Sequence, residues 1–326
     1  MLGWLILHAA IGVVGTWLAR RYALQRDLLD HPSERRSHVV ATPRGGGMAI
    51  LAALLVATLS LAWKDPSQRQ LLLALSASIA LVAGVGLLDD HRPLSPWSRL
   101  AVHVVASGIF AATAFVVFSD PWVGLIALVS TLVLTNVWNF MDGINGIASS
   151  QALLLSVALG LALGGTWGMV AVALAAASAG FLPYNFPRAR IFLGDGGSGA
   201  IGFAIAALAT TAVGVGGLKS GWLLLPLSAF LVDAGLTLIR RVVRGERWWT
   251  PHVQHAYQVW ARRGGHAVVT LAYAAWTAAG MLVMFAAAGL PESWLLPVCV
   301  LWYASAVLAW WWLQRADHRA VRHLQG

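Results

Sequence analysis

Four short strings of this chain gather carboxylates, amides, histidines and glycines at spacings that chemistry can use. The first is the adjacent pair Asp89 and Asp90, following the run LVAGVGLL. The second is NVWNFMDGINGIASS at 136–150, with Asn139, Asp142 and Asn145, and the third is IFLGDGGSGAIG at 191–202, with Asp195 and Ser198. The fourth, GERWWTPHVQHAYQVWARRGG at 245–265, sets His252 and His255 three apart. Hard carboxylate oxygens select Mg²⁺ or Mn²⁺, and arginine recognises phosphate. Carboxylates mixed with guanidinium groups therefore suit an anionic substrate held partly through a divalent metal.

Each string also has a plainer reading. Adjacent carboxylates at a helix C-terminus are opposed by the dipole and by each other, so Asp89 and Asp90 need a cation. Pairing with His91, Arg92 or Arg99 stands open beside metal or general-base duty. The glycines of DGING allow a tight turn near a ligand, but the D-x-N opening is no EF-hand, because its twelfth position is Leu153. Asp195 and Ser198 stand where a helix N-terminus would receive phosphate, or where Asp195 would be an ordinary N-cap. His252 and His255 could share one face of a helical turn, yet a structural zinc site wants further Cys or His and only His266 is near, so phosphate recognition is expected. Both lysines, Lys64 and Lys219, lie away from these strings, which leaves arginine, histidine and backbone as the phosphate clamp. An early loop, DLLDHPSERRSHVVATPRGGG, adds Arg35, Arg36, His38 and Arg44, and its triple glycine predicts close backbone approach. Asp233, inside an apolar run, is expected either to line the cavity or to bridge a helix end.

The elements that must carry these strings are membrane helices. The chain has 326 residues, of which 59% are hydrophobic and 11% charged, with a mean hydropathy of +0.72, far from a soluble domain. About eleven apolar runs approach the roughly 20 residues a span needs: 2–19, 45–63, 70–88, 99–118, 121–140, 148–164, 167–182, 199–217, 220–239, 266–289 and 293–313. The first is read as a helix and not a removable signal. The prediction is all-α: a polytopic membrane helix bundle forming one domain over 1–326. If the N-terminus is periplasmic, one side holds 19 of the 22 Lys and Arg residues, which the positive-inside rule makes cytoplasmic; an odd span count puts the C-terminus there too. All four strings are expected to open on that side of the membrane. The net charge of +9 is then mostly topology and does not argue for nucleic acid. Among the 17 tryptophans, Trp97, Trp248, Trp249 and Trp310 to Trp312 are expected in the interfacial belts. Cys299 has no partner for an intramolecular disulfide and is read as packing.

In order and spacing, DD, N-x-x-N-F-x-D-G-x-x-G, F-L-G-D-x-G-S-x-x-x-G and H-x-x-H-x-Y-Q resemble the polyprenyl-phosphate N-acetylhexosamine-1-phosphate transferases, glycosyltransferase family 4. ERRSH…TPRGGG and HAYQ look most like the O-antigen-initiating branch that uses UDP-N-acetylfucosamine or UDP-N-acetylquinovosamine. The resemblance implies Mg²⁺- or Mn²⁺-dependent transfer of a sugar 1-phosphate from a UDP-sugar to undecaprenyl phosphate, releasing UMP. It implies Asp195 as metal ligand, and Asp89 and Asp90 as the pair that positions or deprotonates the lipid phosphate. Asn139, Asp142 and Asn145 would lie at the nucleotide and catalytic site, with Asp142 catalytic. His252 and His255 would hold diphosphate or sugar, and Arg44, His38 and Ser198 would contact substrate. Partners are the UDP-sugar, the lipid phosphate and membrane lipid, with a homodimer left open. One departure is Asn145, where the family's D-G-x-D-G has a second carboxylate; an amide keeps hydrogen bonding and loses charge. Alternatives are UDP-N-acetylglucosamine or a phospho-muramoyl-pentapeptide donor, and, from another class, a secondary transporter of an anionic solute.

Overall fold

The computed structural model describes residues 1–30, 40–247, 249–250 and 252–323. Glu34, Arg35, Arg36, His38 and Trp248 of the sequence reading lie outside the described residues. The described chain is nearly all helix: α1 (Leu2–Gln25), α2 (Met48–Lys64), α3 (Arg69–His91), α4 (Pro96–Phe118), α5 (Pro121–Met141), α6 (Ile147–Leu163), α7 (Gly165–Asn185), α8 (Asp195–Gly216), α9 (Leu224–Val243), α10 (Ala256–Ala287) and α11 (Leu295–His323). Two antiparallel two-residue strands, β1 (Leu29–Asp30) and β2 (Thr42–Pro43), pair Leu29 with Pro43 and Asp30 with Thr42, a small departure from the all-helical expectation. Among the described residues, nine helices are long and apolar enough to cross a membrane. The other two, α2 and α6, have 17 residues each, about 25 Å at 1.5 Å per residue, the short end of a span.

Helix starts follow local chemistry. Ser95 and Asp120 cap α4 and α5 by accepting from Trp97 N and Trp122 N, each with proline as the first helical residue. The largest revision to the sequence reading is at α10, which begins ten residues before the expected run at 266. Its helix is broken at Gly265, whose φ of 77° is open only to glycine at little cost. Much of the expected 245–265 loop is therefore a short helix set at an angle to the span that follows.

The core runs along α8, whose residues from Gly196 to Leu208 are buried throughout. Apolar burial gains nothing between helices that already lie in hydrocarbon, so small residues that let backbones meet must hold them. Gly196 of α8 lies directly on Gly86 of α3, and Gly197 on Gly47 at the start of α2; a β-carbon on any of the four would collide with backbone. The close approach expected of the triple glycine is thus present. Gly46 N and Gly47 N also donate to Phe192 O and Leu193 O, each at 2.9 Å, tying α2 to the segment that leads into α8.

Overpacking a tight core costs about 1–3 kcal/mol or more. Gly197→Val is therefore expected to lower the thermal stability of the detergent-purified protein by several degrees. Gly84→Ala, two residues from the seam glycine Gly86 but with nothing within 4 Å, is expected to leave it unchanged or slightly raised. Equal effects of the two substitutions would refute the account of the seam.

Candidate active site

The end of α3 turns its two carboxylates to different partners. Asp89 accepts from Leu94 N through Oδ1 and from Arg99 Nη1 through Oδ2, both at 2.6 Å. The same Arg99 nitrogen donates to Asp195 Oδ2 at 2.8 Å, so one guanidinium joins α3, α4 and α8. Asp90 is 3% exposed; its Oδ1 accepts from Asp195 N at 3.3 Å and lies 3.8 Å from Arg44 Nε. Arg44 Nη2 also donates to the Asp90 carbonyl oxygen. The compensation demanded by two adjacent carboxylates is therefore supplied by Arg99, one of the three cations considered, and by Arg44 together with the α8 N-terminus. His91 bonds elsewhere, to Leu87 O and Tyr22 Oη.

Asp195 is not an N-cap. Gly194 holds that position with φ 77°, and Asp195 is the first helical residue. A β-carbon at 194 would stand 2.5 Å from Asp90 Oδ2, so the turn needs glycine on two counts. Ser198 Oγ donates to Asp195 O at 3.4 Å and accepts from Asn139 Nδ2 at 3.2 Å, which fastens the end of α5 to the start of α8. Asp142 follows α5 directly. Burial, and then the charges of Asp195 and Asp90, raise its pKa well above the ordinary carboxylate value. Asn145, by contrast, is fastened away from the carboxylates: its amide donates to Pro187 O, its N–H to His266 Nδ1, and its carbonyl accepts from Thr270.

His252 and His255 meet, with ring centroids 4.8 Å apart, but not on one helical turn. His255 is the N-cap of α10 and His252 lies in the segment before it. Burial, then His255 and Arg241, push the His252 imidazole down to about 4, so it is neutral at pH 7 and acts as a hydrogen-bonding group. Asp233 takes the helix-end place, that of α10. Its carboxylate accepts from Ala256 N at 2.8 Å, Tyr257 N at 3.0 Å and Tyr273 Oη at 2.7 Å. Tyr257 Oη reaches across to Phe140 O at 3.0 Å, joining the histidine segment to the end of α5.

Two features escaped the sequence reading. Arg241, not singled out in the sequence, is 3% exposed and donates to Glu246 Oε2 and Arg247 O at 2.9 Å and to Thr250 O at 3.1 Å. A helix-terminal arginine followed by a polar loop whose carbonyls need donors was the available signal. Trp97 and Trp249, expected in a belt, instead stand 6.0 Å apart and line a cleft with Arg99, Asn139, Phe140 and Asp195.

Asp90 Oδ2 is buried without a hydrogen-bond partner among the described residues, an oxygen that a cation would satisfy. Among the described residues, no three His, Cys, Asp or Glu side chains stand together as a ready metal cluster. Magnesium is commonly held by one or two carboxylates plus substrate phosphates, and the residues present fit that mode.

Residues 72–213 match the family model described as glycosyl transferase family 4. The chain is 31% identical over 299 residues to a decaprenyl-phosphate N-acetylglucosaminephosphotransferase of Mycolicibacterium smegmatis, covering 76% of this chain and 72% of that protein. The chain belongs to glycosyl transferase family 4. It is also 28% identical over 256 residues to the undecaprenyl-phosphate alpha-N-acetylglucosaminyl 1-phosphate transferase of Thermotoga maritima, covering 75% of this chain and 76% of that protein. A phospho-N-acetylmuramoyl-pentapeptide-transferase of Moorella thermoacetica is 36% identical over 204 residues, 53% of this chain and 63% of that protein. As a family 4 member the chain is an integral membrane enzyme of the sugar-phosphate transferase class. The matched segment spans α3 to α8 and holds every carboxylate of the cleft; Arg44 and the histidine segment join it through the fold.

The raised Asp142 pKa has a definite sign. Between the ordinary value of 3.8 and the raised one, the folded state holds more protons than the unfolded chain, so stability falls as pH rises. Asp142→Asn is expected to raise the melting temperature in chelator-treated detergent at neutral pH, with the gap closing below about pH 3.8, while activity is lost. A neutral-pH melting temperature at or below wild type would contradict this.

Proposed function

We propose that the chain transfers an N-acetylhexosamine 1-phosphate from a UDP-sugar to undecaprenyl phosphate, giving the lipid diphosphate sugar and UMP at the cytoplasmic face of the inner membrane. The observation that carries it is Arg99, held between Asp89 and Asp195 at 2.6 and 2.8 Å at the mouth of a cleft formed by helix ends. An oxygen of the lipid phosphate attacks the β-phosphorus, the bond from that phosphorus to the bridging oxygen breaks, and the electron pair leaves with UMP. Catalysis of such a transfer is mostly positioning and neutralisation of phosphoryl oxygens. Arg99 and Arg44 supply fixed positive charge, and neutral His252 supplies a hydrogen bond. His255 stands beside His252 to hold diphosphate or sugar. Asn139, on the cleft wall, faces the nucleotide, and buried Ser198 holds it through a 3.2 Å hydrogen bond. Asp142, whose pKa is raised by burial and then by the charges of Asp195 and Asp90, is the carboxyl that holds a proton beside the transferred group, and Asp89 keeps Arg99 in place. Asp195, with the bare Oδ2 of Asp90, would hold Mg²⁺ or Mn²⁺, which when bound neutralises the diphosphate.

For the donor, the ERRSH…TPRGGG and HAYQ strings support a 6-deoxy-N-acetylhexosamine and a place at the start of O-antigen synthesis. The second reading is UDP-N-acetylglucosamine, favoured by the names of the mycobacterial and Thermotoga relatives. Asn145, bonded to Pro187 and Thr270, keeps a holding role that an amide can fill.

Purified enzyme with undecaprenyl phosphate and Mg²⁺ is expected to release UMP from one of UDP-N-acetylfucosamine, UDP-N-acetylquinovosamine and UDP-N-acetylglucosamine, and Asp195→Asn to reduce that release at least about 100-fold. Release confined to UDP-N-acetylglucosamine would overturn the 6-deoxy reading. Lipid-independent release, or release undiminished in the variant, would overturn the assignment of the cleft.

A further inference from the structure

The carboxylate of Asp233 lies outside the cluster used above, yet it is 2% exposed and unusually well supplied with donors. Oδ1 accepts from Ala256 N at 2.8 Å and from Thr237 Oγ1 at 3.3 Å. Oδ2 accepts from Tyr257 N at 3.0 Å and from Tyr273 Oη at 2.7 Å. Two of those donors are the first amides of α10, groups that a helix leaves without internal partners. A carboxylate from α9 thus does for α10 what an N-cap side chain would do locally. The residue that actually holds the N-cap position is His255.

His255 itself is 3% exposed. Its Nδ1 stands 3.6 Å from Asp233 Oδ1; the nitrogen is buried and makes no hydrogen bond of ordinary geometry, and the ring also faces the Gln258 amide in a capping box, so Asp233 and that amide compete to set its tautomer. Phe140 and Tyr257 stack on the ring, with centroids 6.5 and 5.6 Å away, and His252 closes the other side. An imidazole next to a fixed carboxylate places its proton on the nitrogen that faces the carboxylate. The opposite nitrogen, Nε2, is then left as the ring's other polar atom.

We infer that Asp233 is a positioning residue for the transfer reaction: it seats the first turn of α10 and fixes the Nδ1–H form of His255, so that Nε2 meets a hydroxyl of the substrate's sugar as an acceptor in a set orientation. The inference deepens the reading of the histidine segment as a substrate contact and rests on it. Asp233 acts through His255 and touches no substrate. Residues that orient a substrate-contacting imidazole from behind change activity by about 10- to 100-fold when altered. A residue that serves only the fold would change yield and stability instead.

The test has two arms. In the first, histidine-selective nitrogen NMR of the wild-type protein in nanodiscs, with His255→Gln used to assign the signal, reads which ring nitrogen carries hydrogen. Protonation at Nδ1 is expected; a His255 with bare Nδ1 overturns the inference, whatever the enzyme's substrate proves to be. In the second, kcat and KM for the nucleotide sugar are measured for Asp233→Asn, His255→Gln and the double variant. Asp233→Asn is expected to lower kcat/KM about 10- to 100-fold, and to add less than about twofold in the His255→Gln background, because both act through one ring. Independent losses that multiply in the double variant overturn the inference. If Asp233→Asn does not fold, Tyr273→Phe, which removes a single donor to the carboxylate, takes its place with a smaller loss and the same non-additivity. Absence of turnover in wild-type enzyme would count against the proposed reaction and leave the first arm to decide the role of Asp233.

Discussion

The seam of glycine backbone where the first turn of α8 meets α2 and α3 sets the geometry on which everything else depends. Gly86 against Gly196 and Gly47 against Gly197 leave no room for a β-carbon. At that separation the amide of Asp195 reaches Asp90 at 3.3 Å, and the Asp195 carboxylate reaches Arg99 at 2.8 Å. A bulkier seam would push α8 outward and separate the carboxylates, since helices in hydrocarbon have no hydrophobic force to draw them back. Packing and chemistry are therefore one constraint here, and the glycines that look like weak helix formers are the residues that make the cleft.

The charge at that end of the bundle is poised and not relaxed. Four carboxylates, Asp89, Asp90, Asp142 and Asp195, share a small volume with the guanidinium groups of Arg44 and Arg99. Arg99 serves two of them with one nitrogen, and Asp90 keeps one buried oxygen without a partner among the described residues. An unmatched buried polar atom is costly, and such atoms persist where a ligand is to supply what the protein lacks. An anionic diphosphate with its cation would redistribute these contacts: arginine toward phosphate, carboxylates toward metal. The second pole is different in kind. Asp233 and Arg241, two turns apart on α9, are both buried and richly bonded, and they hold the histidine segment still.

Much of this was legible in the residues. Composition alone required a membrane bundle, and the four polar strings were found where the helix ends converge. The triple glycine announced a close approach because nothing else explains three poor helix formers at a helix start. What sequence could not convey was pairing across the fold. From spacing, Arg99 was one of three candidate partners for the aspartates, and Arg44 was only a member of a basic loop. A cap was one of two readings open for Asp195 from spacing, whereas Gly194, with φ 77°, takes the cap and leaves Asp195 one position inside the helix. His252 and His255 satisfied a helical spacing that the chain does not adopt, because Asp233 starts α10 at Ala256 and leaves His252 outside it. Trp97 and Trp249 followed the general preference of indole for interfaces, and their meeting on the cleft wall depends on helices distant in sequence.

The central claim is that a phosphoryl group travels with the sugar at this cleft. Its most direct test is to follow a radiolabel placed on the β-phosphorus of the UDP-sugar during turnover with undecaprenyl phosphate. The account predicts that the label moves to the lipid product in step with release of unlabelled UMP. Label retained in UDP, with sugar alone on the lipid, would contradict it.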